Sequence, residues 1–208
     1  LYYKAKRLNL LSLDHKLLLW IAGLAGRFAT LDWLVKYLAN DFLVPAAMAL
    51  IGAGLWFTGK TKDERRQNQW GFIYAIVGLG FSALLVQIIN DHYFRARPYV
   101  NFPQLLPQVQ RLFYEPTVSS FPSFPAAVTF AFAFGIWLEN KRIGGLLFCM
   151  AALMSLARVY IGIHYPSDIL VGAAIGVAVA FIFSWILRLI LKPVVNLVLL
   201  IFERFFLA

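Results

Sequence analysis

A cation, an imidazole and a carboxylate fall inside twelve residues, Ala157-Arg158-Val159-Tyr160-Ile161-Gly162-Ile163-His164-Tyr165-Pro166-Ser167-Asp168, at the junction of two long apolar stretches. Ionisable side chains are costly at membrane depth, so such a cluster is a functional hypothesis from the outset. Two further helix-end segments lie upstream, Arg97-Pro98 and Ser120-Phe121-Pro122-Ser123. These residue types suit a phosphate group. A guanidinium presents a planar fork of donors and keeps its proton, matching phosphate oxygens, and Arg97 and Arg158 stand at helix ends from which both can grip one phosphate. Ser123 adds a hydroxyl and the free N–H groups of a helix N-terminus. His164 can attack phosphorus when its second ring nitrogen is held by an acceptor. Asp168, four residues on across the Pro166 turn, is the candidate acceptor.

Taken singly, each element has an ordinary explanation. Arg97-Pro98 reads as a span terminus with a snorkelling cation, and Pro122-Ser123 as a common helix start. His164 alone is a polar loop residue, and Asp168 alone a helix cap. Three such segments in fixed order, at three helix ends and on one membrane face, are hard to obtain from structural needs alone.

The elements that must position them are membrane spans. The chain is 61% hydrophobic and only 14% charged, against about 25% charged in soluble domains, and its mean hydropathy is +0.73. The expected fold is all-α, a polytopic membrane helix bundle of about six transmembrane helices forming one domain over 1–208. Stretches 33–57, 69–90, 143–163 and 168–190 meet the span length of about 20 apolar residues, and 122–139 is shorter. Residues 10–26 read either as a span or as an interfacial helix, because Asp14, His15 and Lys16 interrupt them. The tail, 191–208, with Lys192, Glu203 and Arg204, is expected to be an amphipathic helix along the membrane surface. Pro103, Pro107 and Pro116 mark 91–121 as an irregular loop whose apolar residues dip into the outer interface.

Lys60, Lys62, Arg65 and Arg66, then Lys141 and Arg142, then Arg188 and Lys192 collect on one side, which the positive-inside rule makes cytoplasmic. Lys4, Lys6 and Arg7 join them if 10–26 crosses. Every candidate chemical residue falls on the opposite, outer face. The net charge of +9 is thereby assigned to loops and lipid headgroups, and nucleic acid is not an expected partner. A lone Cys149 excludes an intrachain disulfide. No signal-peptide cleavage pattern is visible.

The three segments together resemble the PAP2 superfamily of membrane phosphatases, whose motifs read K-x6-R-P, P-S-G-H and S-R-x5-H-x3-D. The resemblance covers roughly 30–190, and the Arg-Val-Tyr-x-Gly-x-His-Tyr-Pro-Ser-Asp wording looks most like the bacterial branch acting on undecaprenyl diphosphate. It implies that Arg97 and Arg158 bind phosphate with Ser123, that His164 is the nucleophile forming a phosphohistidine, and that Asp168 orients it. It implies no metal and no cofactor. It also implies a multi-pass protein of the bacterial inner membrane with its site facing outside, acting on a lipid phosphate or diphosphate. The amphipathic ends are candidates for membrane anchors or a homodimer surface.

The departures from the pattern are specific. The first-motif lysine falls on Asn90, leaving Arg95 as the candidate substitute cation. The serine opening the third motif is Ala157. The second motif reads Pro122-Ser123-Phe124-Pro125, so the family's general-acid histidine is replaced by Pro125, which has no proton to donate, and Phe124 puts bulk where glycine allows close approach. General acid catalysis is worth about 10²–10⁴-fold. A phosphate monoester, with a second pKa of about 6, can depart without a proton, whereas an alkoxide cannot. An active chain is therefore expected to prefer lipid diphosphates to monophosphates. His92 is the one rescue acid at the same face, and His15 is weaker still. The alternative readings are a catalytically impaired phosphate-binding or scaffold protein and, less favoured, a lipid transporter, whose inverted repeats and broken spans the sequence does not display.

Overall fold

The computed structural model describes the backbone of residues 2–204 and the side chains of 12–197 and 199–201. Lys4, Lys6, Arg7, Glu203 and Arg204 lie outside the described side chains, and residues 205–208 outside the described chain. The elements are all helical: α1 (Tyr2–Ala22), α2 (Ala29–Leu38), α3 (Leu43–Trp56), α4 (Lys62–His92), α5 (Pro98–Asn101), a 3-10 turn (Pro103–Leu105), α6 (Leu106–Leu112), α7 (Phe124–Glu139), α8 (Lys141–Ile161), α9 (Pro166–Ile186), a π turn (Leu187–Leu191) and α10 (Lys192–Arg204).

Three helices are long and apolar enough to cross a membrane, Lys62–His92, Lys141–Ile161 and Pro166–Ile201, and α2 with α3 makes a fourth, bent by 57°. Hydrogen bonds at their ends set the direction of each pass. Asn140 Nδ2 donates to Asn68 Oδ1 and Asn68 Nδ2 to the Thr58 carbonyl, each at 3.0 Å, and Arg188 Nη2 donates to Glu139 Oε1 at 2.5 Å. The end of α3, the start of α4, the α7–α8 turn and the end of α9 therefore meet at one end of the bundle, the end that holds the basic clusters. At the other end Ser120 N donates to Arg95 O at 2.9 Å, Ser123 N to Asp168 O at 3.1 Å and Arg158 Nη2 to Ala39 O at 2.9 Å. So α3, α4, α7, α8 and α9 run through in alternating directions, a multi-pass membrane bundle.

Small residues let the central helices close. α7 packs against α4, α8 and α9. A Cβ on Gly135 would strike the Ala75 backbone, and one on Gly176 the Ala127 carbonyl. Backbones approach this closely in membranes because dispersion, not water exclusion, holds spans together. Thr61 caps α4, its Oγ1 accepting from Glu64 N at 3.2 Å, and Glu64 Oε2 accepts from Lys60 N, one residue before the cap, at 2.8 Å.

Four expectations are sharpened. Stretch 33–57 is not one straight span. Asn40 Oδ1 accepts from Phe42 N and Leu43 N, both at 2.9 Å, and starts a new helix after α2 has ended. For 10–26, which the sequence leaves open between a span and an interfacial helix, the described contacts lie at the site end. Asp14 bonds Ser167, and the Leu24 carbonyl beyond α1 accepts from Tyr160 Oη at 3.1 Å. Residues 91–121 are only partly irregular: Pro103 and Pro107, like Pro98, stand in helical first turns, where a missing N–H is harmless, whereas 93–97 and 113–123, with Pro116, carry no helix. The tail is helical as far as Arg204, and it follows α9 without a gap. The π turn at Leu187–Leu191 carries α9 onward, so that Pro166–Ile201 is one long helix.

Candidate active site

Local rules build the turn that carries the imidazole. α8 ends at Gly162, whose φ of 91° is left-handed and suits glycine. Pro166 opens α9, and Asp168 Oδ2 reaches back to accept from Tyr165 N at 2.9 Å. His164 is thereby held between the two spans, 1% exposed.

Its two ring nitrogens have distinct neighbours. Nε2 faces Arg97 Nη1 at 3.3 Å, and Nδ1 faces the Ser120 carbonyl at 3.0 Å. An arginine only donates and a carbonyl only accepts, so Nδ1 carries the proton and Nε2 the lone pair. Asp168 Oδ2 lies 3.7 Å from Nδ1, close enough to compensate charge on the ring, while its shortest bond comes from Ser120 Oγ at 2.5 Å. Burial, with Arg97 and Arg158 nearby adding to it, pushes His164 down to about 4. The ring is neutral at pH 7.

Arg97 donates to three backbone carbonyls, Val118 and Ile163 at 3.0 Å and Ser119 at 3.3 Å. Among the described residues it makes no ion pair, and burial pulls its guanidinium below the ordinary range. Arg158, on the last turn of α8, is 3% exposed. It holds the Ala39 carbonyl and pairs with Asp41, while its Nε makes no hydrogen bond within the protein.

His164, Arg97 and Arg158 line one cavity of about 680 Å³. Its remaining wall is largely apolar, from Phe42, Pro45, Phe94, Phe124, Pro125 and Val128. The cavity also holds Asp41 and Asp91, so its polar floor carries both signs of charge under a largely apolar wall.

The other sequence candidates are placed differently. Arg95, the candidate substitute for the lysine replaced by Asn90, is not among the residues that line the cavity. It turns away from the cavity, donating from Nη1 to Asp168 Oδ1 at 2.5 Å and Ser167 Oγ at 2.8 Å, and from Nη2 to Asp14 Oδ2 at 2.9 Å. Despite burial, those two carboxylates hold its guanidinium above the ordinary range. Asn90 itself lines the cavity. Ser123 is the first residue before α7, and its backbone N–H is taken by the Asp168 carbonyl. Its buried hydroxyl makes no hydrogen bond within the protein and is not part of the cavity wall. Pro125 stands in the wall where the family's histidine would be. His92 is no replacement acid, for its Nδ1 faces the Ile88 carbonyl at 2.8 Å outside the cavity. His15 packs edge-on against Phe102.

Asp14, Asp41 and Tyr114 complete the arrangement without having been singled out by motif, and Ser120, which opens the second segment, gains a role at the imidazole. The available signal was the cost of a lone carboxylate beside an apolar run, which applies to Asp14 and Asp41 as much as to Asp168.

Comparisons with known proteins give the family and the fold. The model of the PAP2 superfamily matches residues 71–191, more than half of the chain. The undecaprenyl-diphosphatase BcrC of Bacillus subtilis (strain 168) is 29% identical over 183 residues, covering 88% of both chains. The bacitracin transport permease protein BcrC of Bacillus licheniformis is 28% identical over 166 residues, 80% of this chain and 76% of that protein. The crystal structure of Aquifex aeolicus LpxE superposes with a TM-score of 0.59 at 22% identity, over 82% of this chain and 93% of that one, and shares its fold.

Proposed function

The chain belongs to the PAP2 superfamily, and from that premise we propose that it is a lipid-phosphate phosphatase of a bacterial inner membrane, hydrolysing a polyprenyl diphosphate such as undecaprenyl diphosphate at the outer face. The observation that carries this reading is the tautomer of His164, whose free Nε2 points at a cation in a cavity with apolar walls.

The chemistry follows from the groups present. Arg97 and Arg158 would hold the terminal phosphate, and the hydrocarbon chain would leave along the Phe124–Pro125 wall. The Nε2 lone pair attacks phosphorus. The N–P bond forms as the bridging P–O bond breaks, and the electron pair departs on the oxygen of the lipid monophosphate. Positive charge developing on the ring is met by the Ser120 carbonyl and Asp168. Water then attacks phosphorus, the N–P pair returns to Nε2, and inorganic phosphate leaves as dihydrogen phosphate with the water's oxygen and both its protons, one of which is lost to bulk solvent according to pH. At Pro125 the wall supplies no proton. The first leaving group must therefore be one that departs unprotonated, which favours diphosphates.

Two other readings each have an observation behind them. The substitutions Phe124 and Pro125, with Asp41 already on Arg158, favour a phosphate-binding relic or scaffold. The permease name of one relative favours transport, but the residues of the cavity come from one end of the bundle, and a conduit needs openings at both. Phosphate release from purified protein separates these readings. Activity on undecaprenyl diphosphate well above that on the matched monophosphate is expected, falling at least about 10³-fold in His164→Ala. Pro125→His is expected to raise monophosphate turnover by about 10²-fold. Activity appearing only in Pro125→His would replace the enzyme reading with the relic.

A further inference from the structure

The broken span delivers an acid to a place where a phosphate site should not want one. Asn40 caps α3, and the next residue, Asp41, sits at the break and lines the same cavity as His164. Its two oxygens are engaged separately. Oδ1 takes Arg158 Nη2, and Oδ2 accepts from Tyr114 Oη at 2.5 Å. Arg158 is buried, but Asp41 is partly open, its side chain 28% exposed. Arg158 Nε, buried and without a hydrogen bond in the protein, is a second donor on the same fork that the carboxylate does not use. A bidentate oxyanion is what that fork is shaped for.

We propose that Asp41 is a built-in competitor for the substrate's phosphate, a carboxylate that holds Arg158 until a polyvalent phosphate headgroup displaces it. The idea rests on the reading of the cavity as a phosphate site. It adds a selectivity rule. A single carboxylate shares one nitrogen of Arg158, whereas a phosphate reaching both Nη2 and Nε, with Arg97 beyond, gains more charge-assisted bonds than it displaces. Singly charged anions gain too little to expel Asp41. Tyr114 holds the carboxylate at the rim once displaced, so the competitor is tethered rather than lost. The same contact keeps a buried cation paired while the site is vacant of substrate, which avoids the cost of an isolated charge.

The competitor role and a merely structural role predict opposite signs. If Asp41 competes, Asp41→Asn should bind inorganic phosphate more tightly, by about 5- to 10-fold, the worth of a partly exposed ion pair. If Asp41 only positions Arg158, the same change should weaken binding. Asp41→Glu keeps a carboxylate and should stay near wild type. Tyr114→Phe loosens the tether without removing charge, is less disruptive to folding, and should tighten binding by about 2-fold. Affinity for inorganic phosphate is read by titration calorimetry on protein in detergent, with chloride and acetate as singly charged controls. Tighter phosphate binding in Asp41→Asn, together with acetate binding gained there and absent in wild type, supports the proposal. Equal or weaker phosphate binding in Asp41→Asn overturns it, and if that variant does not fold, equal or weaker binding in Tyr114→Phe does so. Wild type that binds no phosphate at all, while Arg158→Ala behaves identically, would instead remove the phosphate reading of the cavity.

Discussion

Arg95 and Arg97 lie two residues apart on one extended stretch and serve opposite sides of the α8–α9 turn. Arg95 is wedged between Asp14 and Asp168 and stacks on the Tyr165 ring with its guanidinium 4.0 Å from the centroid. Arg97 meets carbonyl oxygens and the imidazole of His164. Both are largely buried, yet their charges have different fates. Two carboxylates neutralise Arg95 inside the protein, so it acts as a strut between α1 and α9. Carbonyl dipoles solvate Arg97 without cancelling it, and a buried cation held only by dipoles is prepared for an anion. Two arginines two positions apart thus stand in opposite electrostatic settings.

That contrast can be broken most sharply at Arg97. Arg97→Ala is expected to lower kcat/KM for a lipid diphosphate by about 10³-fold, the scale of losing a fixed charge aimed at the reacting oxygens, together with a lowered Tm from the three carbonyls it leaves unpaired. Turnover within tenfold of wild type would erase the distinction. Arg95→Ala should act chiefly on stability. Leaving Asp14 and Asp168 buried without their cation is expected to cost about 3 kcal/mol, read as a lowered Tm in detergent, and an unchanged Tm would mean the strut bears no load.

The smallest effect concerns pH. Because burial holds His164 at about 4 rather than 6.5, kcat/KM should keep its value through pH 5 and fall as pH drops through about 4, when the ring loses its lone pair. The unfolded chain takes that proton near 6.5, so stability also declines as pH falls from about 6.5 toward 4. An acid limb near 6.5 would mean that the ring is solvated and the cavity wetter than its walls suggest.

Much of the fold was legible because membrane insertion is a local matter. Each of α4, α8 and α9 announces itself by about 20 apolar residues. α3 was harder to read, since a break costs only the capping of a few groups, and Asn40 supplies it inside an apolar run. α1 was ambiguous for the same reason in reverse. Its apolar residues Leu18 and Ala22 are fully buried against the α8–α9 turn and the α5–α6 segment, and the pattern of an interfacial helix differs little from that of an interrupted span. The Pro-rich stretch 91–121 looked irregular throughout because proline is a breaker mid-helix but a starter at the first turn.

Hydropathy and local spacing carried the membrane setting, the PAP2 likeness and the nearness of His164 to Asp168, since a run of apolar residues and four positions across a proline turn are properties of neighbouring residues. The imidazole's Nδ1 is nonetheless held by the Ser120 carbonyl at 3.0 Å, with Asp168 3.7 Å away. Only the tertiary structure decided that Ser120 holds the imidazole, that Arg95 is spent on Asp14 and Asp168, and that Asp41 arrives at Arg158 from 117 residues away. Those assignments depend on which charges are buried together, and low-dielectric burial couples groups by distance in space, with no regard for their distance along the chain.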